Sequence, residues 1–155
     1  MRVLNRTLIA LSLLAAPAAF AQAAPVAGAS VDGFELVEDR TVIFELLGDG
    51  KVKILKVEEK NPHAAMPRNP GQVAVTMNYA REIGTVIEFN SGLDYAVDYK
   101  ATLVGPPEGG NQTAEAAVCA VNDQSVGSEQ WPQPFPKILL SGFRRNDRPK
   151  PCTAG

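Results

Sequence analysis

Hydrophobic and polar residues alternate most clearly along residues 84–104. In the second half of this stretch every second residue belongs to one apolar face, formed by Leu93, Tyr95, Val97, Tyr99, Ala101 and Leu103. Side chains of a strand point alternately to opposite faces, so this pattern is typical of a half-buried strand. The stretch predicts two antiparallel strands joined by a tight turn at residues 90–92. In this turn Gly92 would supply the positive φ.

Similar alternation, bounded by glycine and proline, predicts further short strands at residues 31–37, 41–47, 51–59, 72–80 and 137–144. Residues 123–131 can hold another strand. Residues 112–121 fit a short helix or a strand, and the valines around Cys119 favour the strand. Many short strands without a convincing helix predict an all-β fold, an antiparallel immunoglobulin-like β-sandwich or a small barrel.

The N-terminal segment has the pattern of a signal peptide. Arg2 and Arg6 precede an apolar run, Pro17 ends the run, and Ala21 completes a small-x-small cleavage pattern. An uncleaved anchor is the alternative, because residues 8–29 are nearly all apolar. We expect cleavage, a mature chain without a transmembrane helix, and a periplasmic or secreted location. The predicted organisation is a signal peptide at 1–21, a linker at 22–30 and one domain at 31–155.

Cys119 and Cys152 are the two cysteines of the chain. Because an exported protein meets an oxidising compartment, the pair predicts an intrachain disulfide. The bridge would close a loop of about 33 residues and contribute roughly 3–4 kcal/mol in the loop-entropy model. It would also hold a C-terminal tail that has little other reason to be ordered. A redox-active role is the alternative, but the spacing is far from Cys-x-x-Cys.

The charge balance limits the partners. The chain carries 15 basic and 17 acidic residues, a net charge of −2. Binding to nucleic acid depends on neutralising phosphates with basic residues, so this balance argues against a nucleic-acid partner. An envelope protein or a polysaccharide is the partner class that remains open.

Catalytic chemistry finds little support in the residue pattern. His63 is the single histidine, and it lies in a proline-rich loop with no nucleophile beside it. Asp94 and Asp98 share a strand face but would be about 13 Å apart, too far for a retaining carboxylate pair. We therefore predict no catalytic residues and no cofactor, and a protein that is not an enzyme.

Two residues support a copper-handling alternative. His63 and Met66 lie three positions apart in one loop, and imidazole and thioether ligands suit copper. A solvent-exposed loop histidine is the simpler interpretation.

Trp131 and Phe135 form another candidate surface. They stand among prolines in the segment WPQPFP, which must be extended or turned. A tryptophan held by prolines can be a rigid recognition surface, or a lid that packs over the end of a sandwich. We favour the lid.

The C-terminal third carries a resemblance. Cys119, followed by EQWPQP at residues 129–134 and LLSGFR at residues 139–144, resembles the end of small exported proteins from Gram-negative bacteria whose function is not established. The resemblance implies an exported bacterial domain and supplies no activity. Together with the residue patterns, it predicts a non-catalytic binding or structural module of the cell envelope.

Overall fold

The computed structural model describes residues 24–59, 68–106, 110, 112–150 and 152. The predicted signal peptide, residues 1–21, lies outside the described residues, and so do His63 and Met66. Within the described ranges, no helix is long and apolar enough to cross a membrane.

The described residues form ten strands in two antiparallel sheets. In chain order they are β1 (Ser30–Val31), β2 (Gly33–Val37), β3 (Arg40–Leu46), β4 (Val52–Glu59), β5 (Val73–Ala80), β6 (Gly84–Ser91), β7 (Ala96–Val104), β8 (Thr113–Ala116), β9 (Val126–Trp131) and β10 (Lys137–Asn146). The first sheet has the order β1-β4-β3-β5-β6-β9, and the second has the order β2-β10-β7-β8. The predicted all-β antiparallel sandwich is confirmed, and the structure is not a closed barrel.

Alternation along each strand builds the core between the sheets. In β7 the predicted face is buried, and Asp98, Lys100 and Thr102 on the opposite face are more exposed. In β6, Ile87 and Phe89 are buried on the inward face. Each fully buried large apolar side chain contributes about 1.5–3 kcal/mol, so the inward faces supply most of the stabilisation.

The central hairpin prediction is wrong in its pairing. β6 pairs with β5 and β9 in the first sheet, whereas β7 pairs with β10 and β8 in the second. The two strands therefore face each other across the core, where the rings of Phe89 and Tyr99 lie 5.0 Å apart. Alternation shows that each strand has a buried face, but it does not show whether two such faces lie side by side or opposite.

Gly92 has a different role from the one expected. It lies outside the positive-φ region, and its amide donates to the Gln72 carbonyl at 2.8 Å. Its carbonyl accepts from the amide of Gly71 at 2.9 Å. A Cβ atom at Gly92 would clash with the carbonyl oxygen of Asn69. Here glycine is required for the close approach of two backbones as the chain leaves β6 for the other sheet.

The chain changes sheet on both sides of the sandwich. On one side, β1 pairs with β4, and after Asp32 the chain continues as β2, which pairs with β10. On the other side, Val121 makes two backbone hydrogen bonds with Val97 of the second sheet before the chain enters β9 of the first. These crossings tie the two sheets together at their lateral edges.

The uncertain segment at residues 112–121 contains a strand. Thr113–Ala116 forms β8 along β7, and Val121 adds an isolated bridge to the same strand. The helical alternative for this segment is wrong.

Substituting Gly92 tests the backbone approach. Gly92→Ala is expected to lower the free energy of unfolding by about 1–3 kcal/mol, because the added methyl group has no space against Asn69. The matched control is Gly48→Ala, where a Cβ has no neighbour within 4 Å. Urea unfolding of both variants checks the prediction. Equal stability of the two variants would contradict it.

Candidate functional site

A cleft of about 350 Å³ opens at the lateral side of the sandwich where the segment after β8 crosses to β9. Its walls come from β6, β7, β9, the segment before β9 and the C-terminal tail. The lining residues are Phe89, Tyr99, Cys119, Ala120, Val121, Asn122, Gly127, Ser128, Glu129, Pro149, Lys150 and Cys152. The cleft therefore combines apolar walls with a few polar groups, as ligand sites commonly do.

A disulfide holds one wall of the cleft. The Cα atoms of Cys119 and Cys152 lie 5.6 Å apart, a usual disulfide distance, and the two sulfurs are paired. Hydrogen bonds in the described part of the tail join residues two positions apart. Arg145 donates to Asp147, and the amide of Arg148 donates to Asn146. The disulfide therefore connects the C-terminal tail to the segment after β8, as predicted from the two cysteines.

Glu129 brings a carboxylate to the interior side of β9. It stands opposite Ile87 in the strand register, and Ile87 is fully buried, so Glu129 points toward the space between the sheets. Its Oε1 accepts a hydrogen bond from the Cys119 amide at 2.7 Å. Burial raises the pKa of Glu129, and this hydrogen bond opposes the rise. The carboxylate has no ion-pair partner among the described residues.

Tyr99 lines the same cleft and has a buried hydroxyl. The residue is 7% exposed, and its hydroxyl oxygen has no hydrogen-bond partner in the part of the chain that the structure describes. Burial raises the pKa of Tyr99, and the nearby charge of Glu129 raises it further. The phenol therefore stays protonated at physiological pH and acts as a neutral hydrogen-bonding group.

The arrangement suits binding better than reaction. A fixed carboxylate and an unpartnered hydroxyl have free hydrogen-bonding capacity within a partly apolar cleft. A buried polar group without a partner costs free energy, and a bound ligand can recover that cost.

Trp131 and Phe135 lie at one end of the sandwich and are half-buried against the core. The buried hydroxyl of Thr85 donates to the carbonyl of Gln133 at 2.8 Å and accepts from the amide of Phe135 at 2.9 Å. A Cβ on Gly84 would clash with the Trp131 carbonyl, so this segment lies directly on the start of β6. This is the packing expected of a lid. A recognition role for Trp131 and Phe135 stays a prediction.

The copper hypothesis concerns residues outside the described ranges, because His63 and Met66 both lie there. Among the described residues, no group of three or more histidine, cysteine, aspartate or glutamate side chains could hold a metal ion.

The alternation of residues 93–103 predicts Tyr99 on a buried face, whereas no motif of the sequence singles out Glu129. One signal was available. Gly127, Glu129 and Trp131 alternate in the short strand at residues 126–131, so a buried Trp131 implies an inward Glu129. The contact of Glu129 with the Cys119 amide depends on the path of the disulfide segment, which alternation does not report.

No family model matches the chain, and neither does any curated protein or solved structure compared with it.

Removing the Tyr99 hydroxyl tests whether it lacks a partner. Tyr99→Phe is expected to leave the free energy of unfolding unchanged or to raise it by up to about 1 kcal/mol, since the ring is kept and an unpaired buried group is removed. Tyr95→Phe, at a partly exposed position, is the control. Chemical denaturation measures both. A loss of stability specific to Tyr99→Phe would show that the hydroxyl has a partner.

Replacing Glu129 tests the cost of its charge. A carboxyl whose pKa is raised by folding favours the protonated form, so its ionised form destabilises the fold at higher pH. Glu129→Gln should therefore be more stable than the parent at pH 7 to 8. This advantage should disappear as the pH falls through the raised pKa to below the ordinary value of 4.5.

Thermal unfolding across this pH range measures the difference. Glu82→Gln is the control, because it removes the same charge from an exposed position. An advantage that is constant with pH, or equal in the control, would contradict the prediction.

Proposed function

We propose that this chain is an exported β-sandwich that binds a small ligand in the Tyr99–Glu129 cleft and has no catalytic role. The observation that carries the proposal is a fixed, partly buried carboxylate in a cleft that is also lined by Tyr99, whose buried hydroxyl has no partner among the described residues. The site lies at the periphery of a rigid two-sheet core, where binding residues are commonly placed.

Export is supported by two independent features. The N-terminal residues have the basic, apolar and small-x-small pattern of a signal peptide. Cys119 and Cys152, distant in the sequence, lie at disulfide distance. Disulfides persist in the periplasm and outside the cell, whereas the cytosol keeps thiols reduced.

Binding is supported by the state of the polar groups. The raised pKa of Tyr99 makes the phenol a poor base and nucleophile at neutral pH. Glu129 is held by the Cys119 amide, so its orientation is set before a ligand arrives. Groups that are preorganised in this way reduce the entropy cost of association. An envelope protein or polysaccharide partner, and copper at His63 and Met66, stay predictions.

Export is tested by the intact mass of protein purified from the periplasm, with and without reductant. We expect a mass that corresponds to cleavage after Ala21 or Ala23, less two hydrogens for the disulfide. A full-length mass with free thiols would contradict export.

Binding is tested by NMR: benzylamine, benzyl alcohol and benzoate are titrated separately into isotope-labelled protein. At least one probe should shift the amide resonances of Val121, Gly127 and Glu129 in a saturable way. Gly127→Leu should abolish the shifts, because a Cβ at this position meets open space and a larger side chain would fill the cleft. Gly48→Leu, in the turn between β3 and β4, is the matched control. Absence of binding by all three probes would overturn the proposal.

A further inference from the structure

We infer that the ligand of this cleft carries an ammonium group, which Glu129 receives as its counter-ion. The inference rests on the proposed binding function and specifies the chemical class of the ligand.

The first argument is the uncompensated charge of Glu129. One carboxylate oxygen, Oε1, accepts from the Cys119 amide at 2.7 Å, and the other has no partner among the described residues. The side chain lies on the inward face of β9 and is partly buried. A partly buried carboxylate without a counter-ion is unfavourable, and a cation that enters the cleft compensates it.

The second argument is a further acceptor among the residues that line the cleft. Tyr99 is 7% exposed, and its buried hydroxyl oxygen has no partner among the described residues. An ammonium group has three donors and no acceptor. It supplies donors to both kinds of acceptor, whereas a carboxylate ligand would add a second negative charge to the same cleft.

The third argument concerns the walls. Phe89 and Tyr99 line the cleft as buried aromatic residues, with ring centroids 5.0 Å apart and planes tilted by 54°. Aromatic side chains give this wall an apolar character that suits an apolar stem. Val121 adds another apolar surface. A primary amine on a short apolar or aromatic stem matches these groups.

Lys150 is the cation of this chain that lines the cleft. It is exposed, and its ammonium group lies more than 4.0 Å from the carboxylate oxygens of Glu129. An exposed lysine is well hydrated and its charge is screened by salt over about 8 Å. It therefore leaves Glu129 open to an external cation.

The experiment compares the affinities of benzylamine, its neutral analogue benzyl alcohol and benzoate, measured by NMR titration at pH 7. We expect benzylamine to bind about tenfold or more tightly than benzyl alcohol, because only the amine forms a charge-assisted contact with the carboxylate. Benzoate should bind most weakly.

The variants assign the contact to individual groups. Glu129→Gln, which keeps an acceptor for the Cys119 amide, should reduce benzylamine affinity to that of benzyl alcohol. Tyr99→Phe should weaken it about threefold or more through loss of the hydroxyl. Glu82→Gln should leave it unchanged. Circular dichroism and thermal unfolding confirm that each variant is folded.

The outcomes separate this inference from the proposed function. Equal or tighter binding of benzyl alcohol or benzoate in the cleft would overturn the ammonium inference and leave the binding function intact. Benzylamine binding that is insensitive to Glu129→Gln would overturn the role of the carboxylate, and insensitivity to Tyr99→Phe would overturn that of the hydroxyl. If none of the three probes binds, both the ammonium inference and the proposed binding function are overturned.

Discussion

Five aromatic rings packed between the sheets determine how the two layers face each other. The first sheet contributes Phe44 and Phe89, and the second contributes Phe34, Tyr99 and Phe143. Phe143 is the centre of this cluster, with its ring 5.1 Å from Phe44, 5.8 Å from Phe34 and 6.3 Å from Tyr99. It points inward because β10 shifts its register between Ser141 and Arg144, where Gly142 adopts a φ of 62°. A bulge of this kind changes which residues face the core.

The candidate site depends on the same cluster. Tyr99 packs against Phe89 and Phe143 through its ring, and the residue lines the cleft. Glu129 reaches the cleft through the register of β9 on β6, and the amide of Cys119 then holds the carboxylate. The rigid core thus positions two polar groups, and the Tyr99 hydroxyl has no partner among the described residues. Sites of this kind commonly place polar groups at some cost to the fold.

The sequence predicts the strands of this protein well and their partners poorly, for a physical reason. Period-two burial is local, so β5, β6, β7 and β10 can be recognised from their own residues. Pairing depends on the connections between strands. At Gly92 the connection is decided by the Gly71–Gln72 backbone, about twenty positions away in the chain, and no local turn pattern reports that contact. Glu129 was overlooked for the same reason, since its role comes from the disulfide segment that lies over it.

The pairing of β2 with β10 joins distant parts of the chain: Lys137 contacts Glu35 across 102 positions. β10 also lies between β2 and β7, so β2 does not join β7 and β8 in one sheet until β10 is present. Contacts over such long separations close slowly, because loop entropy opposes them. A growing chain therefore cannot complete its core before residues 137–146 have been synthesised. Under the export proposed above, a chain whose core is incomplete can still pass unfolded through a membrane channel while it is being synthesised.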